Sequence, residues 1–172
     1  DGQRDLKLGV LRVPDAELFI EDPLRFFRVM QFIGRFQMKP DEELQELCRN
    51  MDISSVSVER IYQEFEKLFL KSKAPSLGIQ WLQEIGRLKE ILPELHAAIG
   101  IEQNPEWHPE GDVFEHTKQA IDAAIEEAEN KEERLLLCWA ALCHDLGKVT
   151  TTREFEGRLI SWGHDAAGVD LA

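Results

Sequence analysis

Apolar residues recur at helical spacing along most of this 172-residue chain, a pattern that predicts a series of amphipathic helices. One helix is predicted to begin at Pro23, with Asp22 as its N-cap, and to continue to about residue 36. Further helices are predicted over about 41–51, 57–71, 75–92 with a break near Gly86, 113–129 and 132–144. The sequence therefore predicts an all-α fold.

A few stretches depart from this period. Leu6, Leu8 and Val10 alternate with other residues, which allows a short strand near the N-terminus. Residues 150–160 are predicted to form a small hairpin that turns at Glu156 and Gly157. The segment 102–112 carries two prolines, a glycine and an asparagine, and we predict the domain boundary there.

Composition and charge limit the functions that this chain is expected to have. The chain is 43% apolar and 31% charged, as expected of a globular protein. Its net charge is -13, and all of the acidic excess lies after residue 40. RNA-binding surfaces are normally basic, so the N-terminal part is the better candidate for an RNA contact. The three cysteines have no paired spacing, which predicts reduced thiols and a cytoplasmic protein. No apolar run is long enough for a membrane span, and no membrane partner is expected.

A His-Asp pair, His144 and Asp145, ends the apolar run 135–143, which is predicted to be a buried helix. His116 lies on the preceding predicted helix, and His164 lies further along the chain. Helical residues rise about 1.5 Å each, and His116 and His144 are about equally far from the turn near residue 130. We therefore expect these two histidines to meet.

Two imidazoles and a carboxylate suit Mn, Fe, Ni, Co or Zn, and a carboxylate also tolerates Mg. Such a ligand set leaves open positions for water and substrate, and a metal-activated water is a nucleophile toward phosphorus. Lys148, just past the pair, could hold a phosphate oxygen as a point charge. The predicted catalytic residues are His116, His144, Asp145 and Lys148, and the predicted metal ligands are His116, His144, Asp145 and His164. The alternative is a degenerate structural pocket.

The predicted helix after Asp22 carries Arg25, Arg28 and Arg35 near one another. These arginines form either a solvated stripe or a surface that reads bases and phosphates. In the second interpretation, Asp22 offers an acceptor and Arg25 a donor fork to the Watson–Crick edge of a base. Further along, Arg60 and Glu64 are spaced for an i,i+4 ion pair.

Two segments together resemble the tRNA nucleotidyltransferase (CCA-adding) and poly(A) polymerase family. They are residues 5–12, D-L-K-L-G-V-L-R, and residues 21–25, E-D-P-L-R, followed by Arg28. The resemblance implies a hinge in the first segment and, in the second, an E-D-x-x-R motif that binds the base of ATP or CTP through Asp22 and Arg25. Arg28 is the third predicted nucleotide-binding residue. Gln31 stands where the family often has another arginine.

The second half resembles the HD phosphohydrolase domain that follows the neck and body in many bacterial CCA-adding enzymes. The resemblance rests on residues 107–117, on L-C-H-D-L-G-K at 142–148 and on G-H-D at 163–165. It implies hydrolysis of phosphomonoesters and 2′,3′-cyclic phosphodiesters with Mg, Mn or Ni. Two departures stand out. The family's later Asp ligand is absent unless Asp165 or Asp170 substitutes for it, and the sequence contains no Gly-Ser pair and no Asp-x-Asp for nucleotidyl transfer.

We therefore expect three segments: the end of a nucleotidyltransferase head and hinge (1–19), a helical neck and body (20–104) and an incomplete HD domain (105–172). The expected function is that of a piece, truncated at both ends, of a tRNA nucleotidyltransferase or poly(A) polymerase family protein acting at the 3′ end of tRNA or another RNA. The alternative is a non-catalytic helical module that binds RNA or another partner and keeps a degenerate HD pocket.

Overall fold

The computed structural model describes residues 2–172, which pack as two compact units that divide after Arg87. The chain is mostly helical with two small two-stranded sheets, which confirms the predicted all-α class. Among the described residues, no helix is long and apolar enough to cross a bilayer. The division into hinge, neck and HD segments concerns their roles and stays a prediction.

The first unit is built around a central helix, α3. Strand β1 pairs with β2 in parallel, with Val10 opposite Lys39. The elements are α1 (Gly2–Leu8), β1 (Val10–Leu11), α2 (Ala16–Ile20), α3 (Leu24–Phe36), β2 (Lys39–Pro40), α4 (Glu42–Asn50), α5 (Val58–Lys71) and α6 (Pro75–Glu84).

Helix α3 packs against α5 and α6. Its apolar stripe places Phe26, Phe27 and Met30 fully inside, and Phe26 meets Trp81 of α6 with ring centroids 5.4 Å apart. Gly78 permits the close approach of α6, since a Cβ there would lie 2.7 Å from the backbone oxygen of Met30. Burial of this aromatic face is the main apolar contribution to the first unit.

The start of α3 differs from the prediction by one residue. Pro23, not Asp22, is the residue at the N-cap, and no side chain caps the helix. The Asp22 carboxylate instead accepts a hydrogen bond from the Leu24 amide at 3.2 Å. Near the N-terminus, the alternating pattern was also misleading, because Leu6 and Leu8 lie in α1 and the strand begins only at Val10.

The predicted Arg60–Glu64 pair is wrong. Arg60 lies 3.4 Å from Asp22, and Glu64 is buried with Lys67 at 2.7 Å. Neither Asp22 nor Lys67 lies at the i,i+4 spacing that was predicted. Tertiary packing turns the Glu64 side chain inward. Val58, at the first position of α5, is 77% exposed despite its apolar side chain.

The second unit contains the long antiparallel pair α9 and α10, followed by short elements. Its hairpin turns at Glu156 and Gly157, which both have positive φ, as a two-residue hairpin turn requires and as the sequence predicted. The elements are α7 (Leu88–Ile91), α8 (Pro93–Ala97), α9 (Val113–Glu127), α10 (Lys131–Cys143), α11 (Lys148–Thr151), β3 (Arg153–Phe155), β4 (Arg158–Ile160) and α12 (His164–Gly168).

Helix α10 is less buried than its apolar sequence predicted. Cys138 and Leu142 are buried, whereas Leu136 is 69% exposed. Cys143, predicted in the core, is half-buried, and all three thiols are free. Burial raises the pKa of Cys48 to about 12 and that of Cys138 to about 11, so these thiols are poor nucleophiles.

Candidate metal centre

The helix pair brings His116 and His144 together, as the sequence predicted. His116 lies near the start of α9 and His144 ends α10, and their Nε2 atoms are 3.3 Å apart. Asp112 fixes the start of α9, because its carboxylate accepts a hydrogen bond from the Glu115 amide at 2.8 Å. The same carboxylate also accepts a hydrogen bond from the Gly100 amide at 2.6 Å, which connects the preceding loop to this helix.

Asp145 is the centre of the cluster. It is 2% exposed, and its Oδ2 lies 3.2 Å from His144 Nε2 and 3.6 Å from His116 Nε2. Its Oδ1 lies 3.5 Å from His164 Nε2, and Lys148 Nζ is 2.7 Å from Oδ2. We call His116, His144, Asp145 and His164 the histidine cluster. The structure thus brings together all the residues for which the sequence predicted metal or phosphate chemistry.

The backbone fixes the orientation of two imidazoles. Nδ1 of His144 is 2.8 Å from the carbonyl oxygen of Ala141, and Nδ1 of His164 is 2.8 Å from that of Ser161. A carbonyl oxygen only accepts, so each Nδ1 carries the proton and donates it. The lone pair is then on Nε2, the atom that faces Asp145. This is the tautomer in which a histidine can bind a metal through Nε2.

Glu110 fixes the orientation of the third imidazole, that of His116. Its Oε1 lies 2.6 Å from Nδ1 of His116 and 3.0 Å from Nδ1 of His108. Hydrogen bonds from its own backbone amide and from His108 and His116 lower the pKa of Glu110 to about 2, against the opposing effect of burial. Glu110 is therefore ionised and accepts from both imidazoles, so His108, Glu110 and His116 form a hydrogen-bond network rather than a second set of metal ligands.

Lys148 and the histidines determine the charge of Asp145. Burial raises the pKa of Asp145, but its close contacts with His144 and Lys148 outweigh this effect and hold the pKa below the usual range. The contact with Asp145 raises the pKa of His144 above its ordinary value, against desolvation. Lys148 is itself buried, and its ammonium also donates to Oε1 of Gln103 at 2.7 Å. The cluster therefore holds a stable carboxylate.

The geometry fits a divalent ion. Donor atoms bound to one ion at about 2.1 Å are about 3.0–3.5 Å from one another in octahedral or tetrahedral sites. His116 Nε2, His144 Nε2 and Asp145 Oδ2 form a triangle with sides of 3.2, 3.3 and 3.6 Å. Oδ2 is buried and, despite its close cationic neighbours, has no well-aligned hydrogen-bond donor. A buried oxygen in this state suits metal coordination.

Gly147 permits His164 to reach the cluster. A Cβ on Gly147 would lie 2.6 Å from the backbone nitrogen of Gly168 and closer still to the carbonyl oxygen of His164. Helix α12 therefore packs directly on the glycine backbone of the L-G-K segment. No side chain larger than hydrogen fits there without moving His164.

The predicted nucleotide-binding residues lie in the first unit. Arg25 and Arg28 line one small cavity of about 230 Å³. Arg25 donates to the carbonyl oxygen of Leu18, and Arg28 stacks over Phe32 at 5.6 Å. The Asp22 carboxylate pairs with Arg60, as described above, and the Asp22 carbonyl oxygen accepts a hydrogen bond from the Arg25 amide at 2.9 Å.

Both halves of the chain are similar to known protein families. Residues 113–172 match the HD domain family, and residues 37–99 match a family described as "Probable RNA and SrmB- binding site of polymerase A". The Multifunctional CCA protein of Neisseria meningitidis serogroup C is 39% identical over 98% of this chain. Those of Mannheimia succiniciproducens and Burkholderia lata are 36% and 38% identical over 98% and 99% of it.

The chain is homologous to the CCA-adding enzymes. It spans about 40% of the length of the curated relatives it matches. The predicted resemblance to that family is thus confirmed, and the histidine cluster lies within the residues that match the HD domain family. The individual roles of its residues stay predictions.

Sequence reasoning missed Glu110 and Gln103 in this CCA-adding enzyme homologue. Both lie in the loop before α9, where Glu110 is six residues from His116 and Gln103 is 45 residues from Lys148, and no helical spacing links them to the cluster. The only signal was the compact H-P-E-G-D sequence at 108–112, which places an acid between a histidine and a helix N-terminus.

Replacing Gly147 tests the packing under the cluster. We expect Gly147→Ala to lower the free energy of unfolding by about 1–3 kcal/mol, because an added methyl group in a filled contact forces the backbone apart. Urea unfolding measures the change. Gly2→Ala is the matched control, since nothing lies within 4 Å of that position. A Gly147→Ala protein as stable as the unmodified chain would contradict the close approach.

Proposed function

We propose that the HD domain of this protein is a divalent-metal phosphohydrolase that acts on phosphoesters of nucleosides or RNA ends. The supporting observation is the convergence of His116, His144 and His164 on Asp145, with Nε2 of each imidazole facing the carboxylate. His116, His144 and Asp145 would hold the ion, and His164 would complete the site. When bound, the ion supplies a Lewis acid and an activated water.

The residues of the chain prepare the site for this chemistry. Glu110, Ala141 and Ser161 keep the Nδ1 protons away from the cleft, so that three lone pairs are directed inward. Lys148 carries a positive charge at the border between the cluster and a larger cavity. In that position its ammonium would orient a phosphate oxygen of the substrate and offset charge that develops during hydrolysis.

One observation favours a different function. Lys148 Nζ lies 2.7 Å from Asp145 Oδ2, so an internal cation already neutralises the carboxylate. If this pair persists in the presence of metal, the cluster is a degenerate pocket within a non-catalytic module that binds RNA or another partner. Metal titration distinguishes the two functions.

Metal binding and hydrolysis test the principal proposal. We expect the unmodified chain to bind Mn²⁺ or Ni²⁺ in calorimetry and to hydrolyse adenosine 2′,3′-cyclic phosphate. His144→Ala should weaken metal binding by about 100-fold or more, since loss of an outer-shell partner alone typically costs 10–100-fold. His96→Ala is the matched control, because His96 lies outside the histidine cluster. If calorimetry shows no heat with Mn²⁺, Ni²⁺ or Mg²⁺ and no hydrolysis occurs, the proposal fails and the non-catalytic function is favoured.

Glu110 provides a second test of the same site. Glu110→Gln keeps the size of the side chain but removes the charge that favours a proton on Nδ1 of His116. We expect metal affinity to fall about 10–100-fold, as for other outer-shell partners. The ¹⁵N chemical shifts of His116 should show a mixture of tautomers in the metal-free variant. Unchanged shifts together with unchanged affinity would show that Glu110 does not orient His116.

We further propose that Asp22, Arg25 and Arg28 bind the base and phosphates of ATP or CTP in nucleotidyl transfer at the 3′ end of tRNA. The supporting observations are that Arg25 and Arg28 share one cavity and that Asp22 lies at the start of the same helix. A base at this position would replace Arg60 on Asp22 and the Leu18 carbonyl on Arg25. The carboxylates that transfer the nucleotide are not among these residues.

Nucleotide binding by the chain tests this second proposal. We expect Arg25→Ala to reduce the affinity for CTP and ATP by about tenfold or more, because hydrogen bonds to charged groups contribute about 1.5–3 kcal/mol. Equilibrium dialysis with radiolabelled nucleotides measures it. Arg35→Ala is the matched control, since Arg35 stacks on Phe36 and does not line the cavity. Equal losses in both variants would indicate a general charge effect and not a specific site.

A further inference from the structure

The largest described cavity of the second unit, about 750 Å³, opens beside the histidine cluster. Lys148 and His164 belong to its wall, so the cavity and the candidate metal centre are continuous. Its volume falls in the range of small-molecule sites, about 300–1,000 Å³.

Two tryptophans form its most unusual feature. Trp107 is 77% exposed and Trp162 is 64% exposed, and both line this one cavity. They come from different segments, the loop before α9 and the end of the hairpin. Exposed indoles that line the same concave polar site are more typical of a binding surface than of chance exposure.

Trp162 is held in place from behind. Its ring lies against Phe155 of β3, with centroids 5.4 Å apart. The turn Asn104–Trp107 is closed by a hydrogen bond from the Trp107 amide to the Asn104 carbonyl at 3.1 Å. The aromatic faces are therefore presented by ordered backbone.

The charges on the wall indicate the chemistry of the ligand. Arg158 and Lys148 contribute two positive charges against the single carboxylate of Asp165, and Asn104 contributes an amide, in a protein whose net charge is -13. Aromatic faces bind nucleobases by stacking, and cations beside them bind phosphate. A ligand that combines a flat aromatic ring with a phosphate matches this arrangement.

We propose that Trp107 and Trp162 form a stacking subsite for the nucleobase of the phosphoester whose phosphate lies at the Lys148 end of the cavity. The proposal rests on the phosphohydrolase function and deepens it, because it makes nucleosides, not simple alkyl phosphates, the preferred substrates. The two indoles determine specificity and take no part in the bond cleavage. Stacking tolerates every base, so discrimination among bases should be weak.

Binding without metal tests the subsite independently of hydrolysis. Adenosine 3′-monophosphate should quench the indole fluorescence of the metal-free chain with saturation. Trp107→Ala and Trp162→Ala should each weaken binding by about fivefold or more, the loss typical of one stacked base. Trp162→Phe should retain most of the affinity, which separates stacking from loss of the contact with Phe155. Trp139→Phe, on α10 and outside the cavity wall, is the matched control.

A base-free substrate separates the subsite from the hydrolytic function. With methyl riboside 2′,3′-cyclic phosphate, both tryptophan variants should hydrolyse as fast as the unmodified chain, whereas KM for adenosine 2′,3′-cyclic phosphate should rise about fivefold or more. If the chain binds adenosine 3′-monophosphate through the tryptophans but hydrolyses nothing, the phosphohydrolase function fails and the subsite stands. If hydrolysis occurs and the tryptophan variants match the unmodified chain on both substrates, the subsite is overturned.

Discussion

The buried carboxylate of Asp145 is the group on which the second unit depends. A carboxylate without partners is expensive to bury and would take up a proton instead. Here His116, His144, His164 and Lys148 surround it at 2.7–3.6 Å. These groups come from α9, from the end of α10, from α11 and from α12, so four helices are oriented toward one charge. Their positions and the ionisation of Asp145 therefore stabilise each other.

Small local features make this convergence possible. Asp112 fixes the first turn of α9, one helical turn before His116. Gly147 lets α12 approach until His164 reaches the carboxylate from the other side. The hydrogen bonds of Glu110, Ala141 and Ser161 then direct the imidazoles. Each of these features is a hydrogen bond or the absence of a side chain, and none requires a large apolar core. This is consistent with the modest burial of α10.

The sequence predicted the parts of this arrangement that follow from helical period and rise. The meeting of His116 and His144 required only two helices of similar length and a short turn. Residues whose role depends on tertiary packing were harder to predict. Glu64 has the spacing for a pair with Arg60, yet it is buried against Lys67. Glu110 reaches His116 across a loop, and no periodicity reports that distance. The apolar run of α10 predicted burial, but hydropathy does not reveal which face has a neighbour.

Lys148 links the two parts of the proposed site. It contacts Asp145 on one side and lines the large cavity on the other. A divalent cation at the cluster must share Asp145 Oδ2 with this ammonium, and two cations on one oxygen repel each other. Gln103 offers Lys148 a second acceptor at 2.7 Å, so Lys148 can loosen from Asp145 without becoming a buried charge with no partner. The loop that carries Gln103 also carries Trp107, so one segment supplies both the acceptor for Lys148 and a wall of the nucleobase subsite. The cluster and the cavity therefore share one loop, which contacts Lys148 through Gln103 and lines the cavity with Trp107.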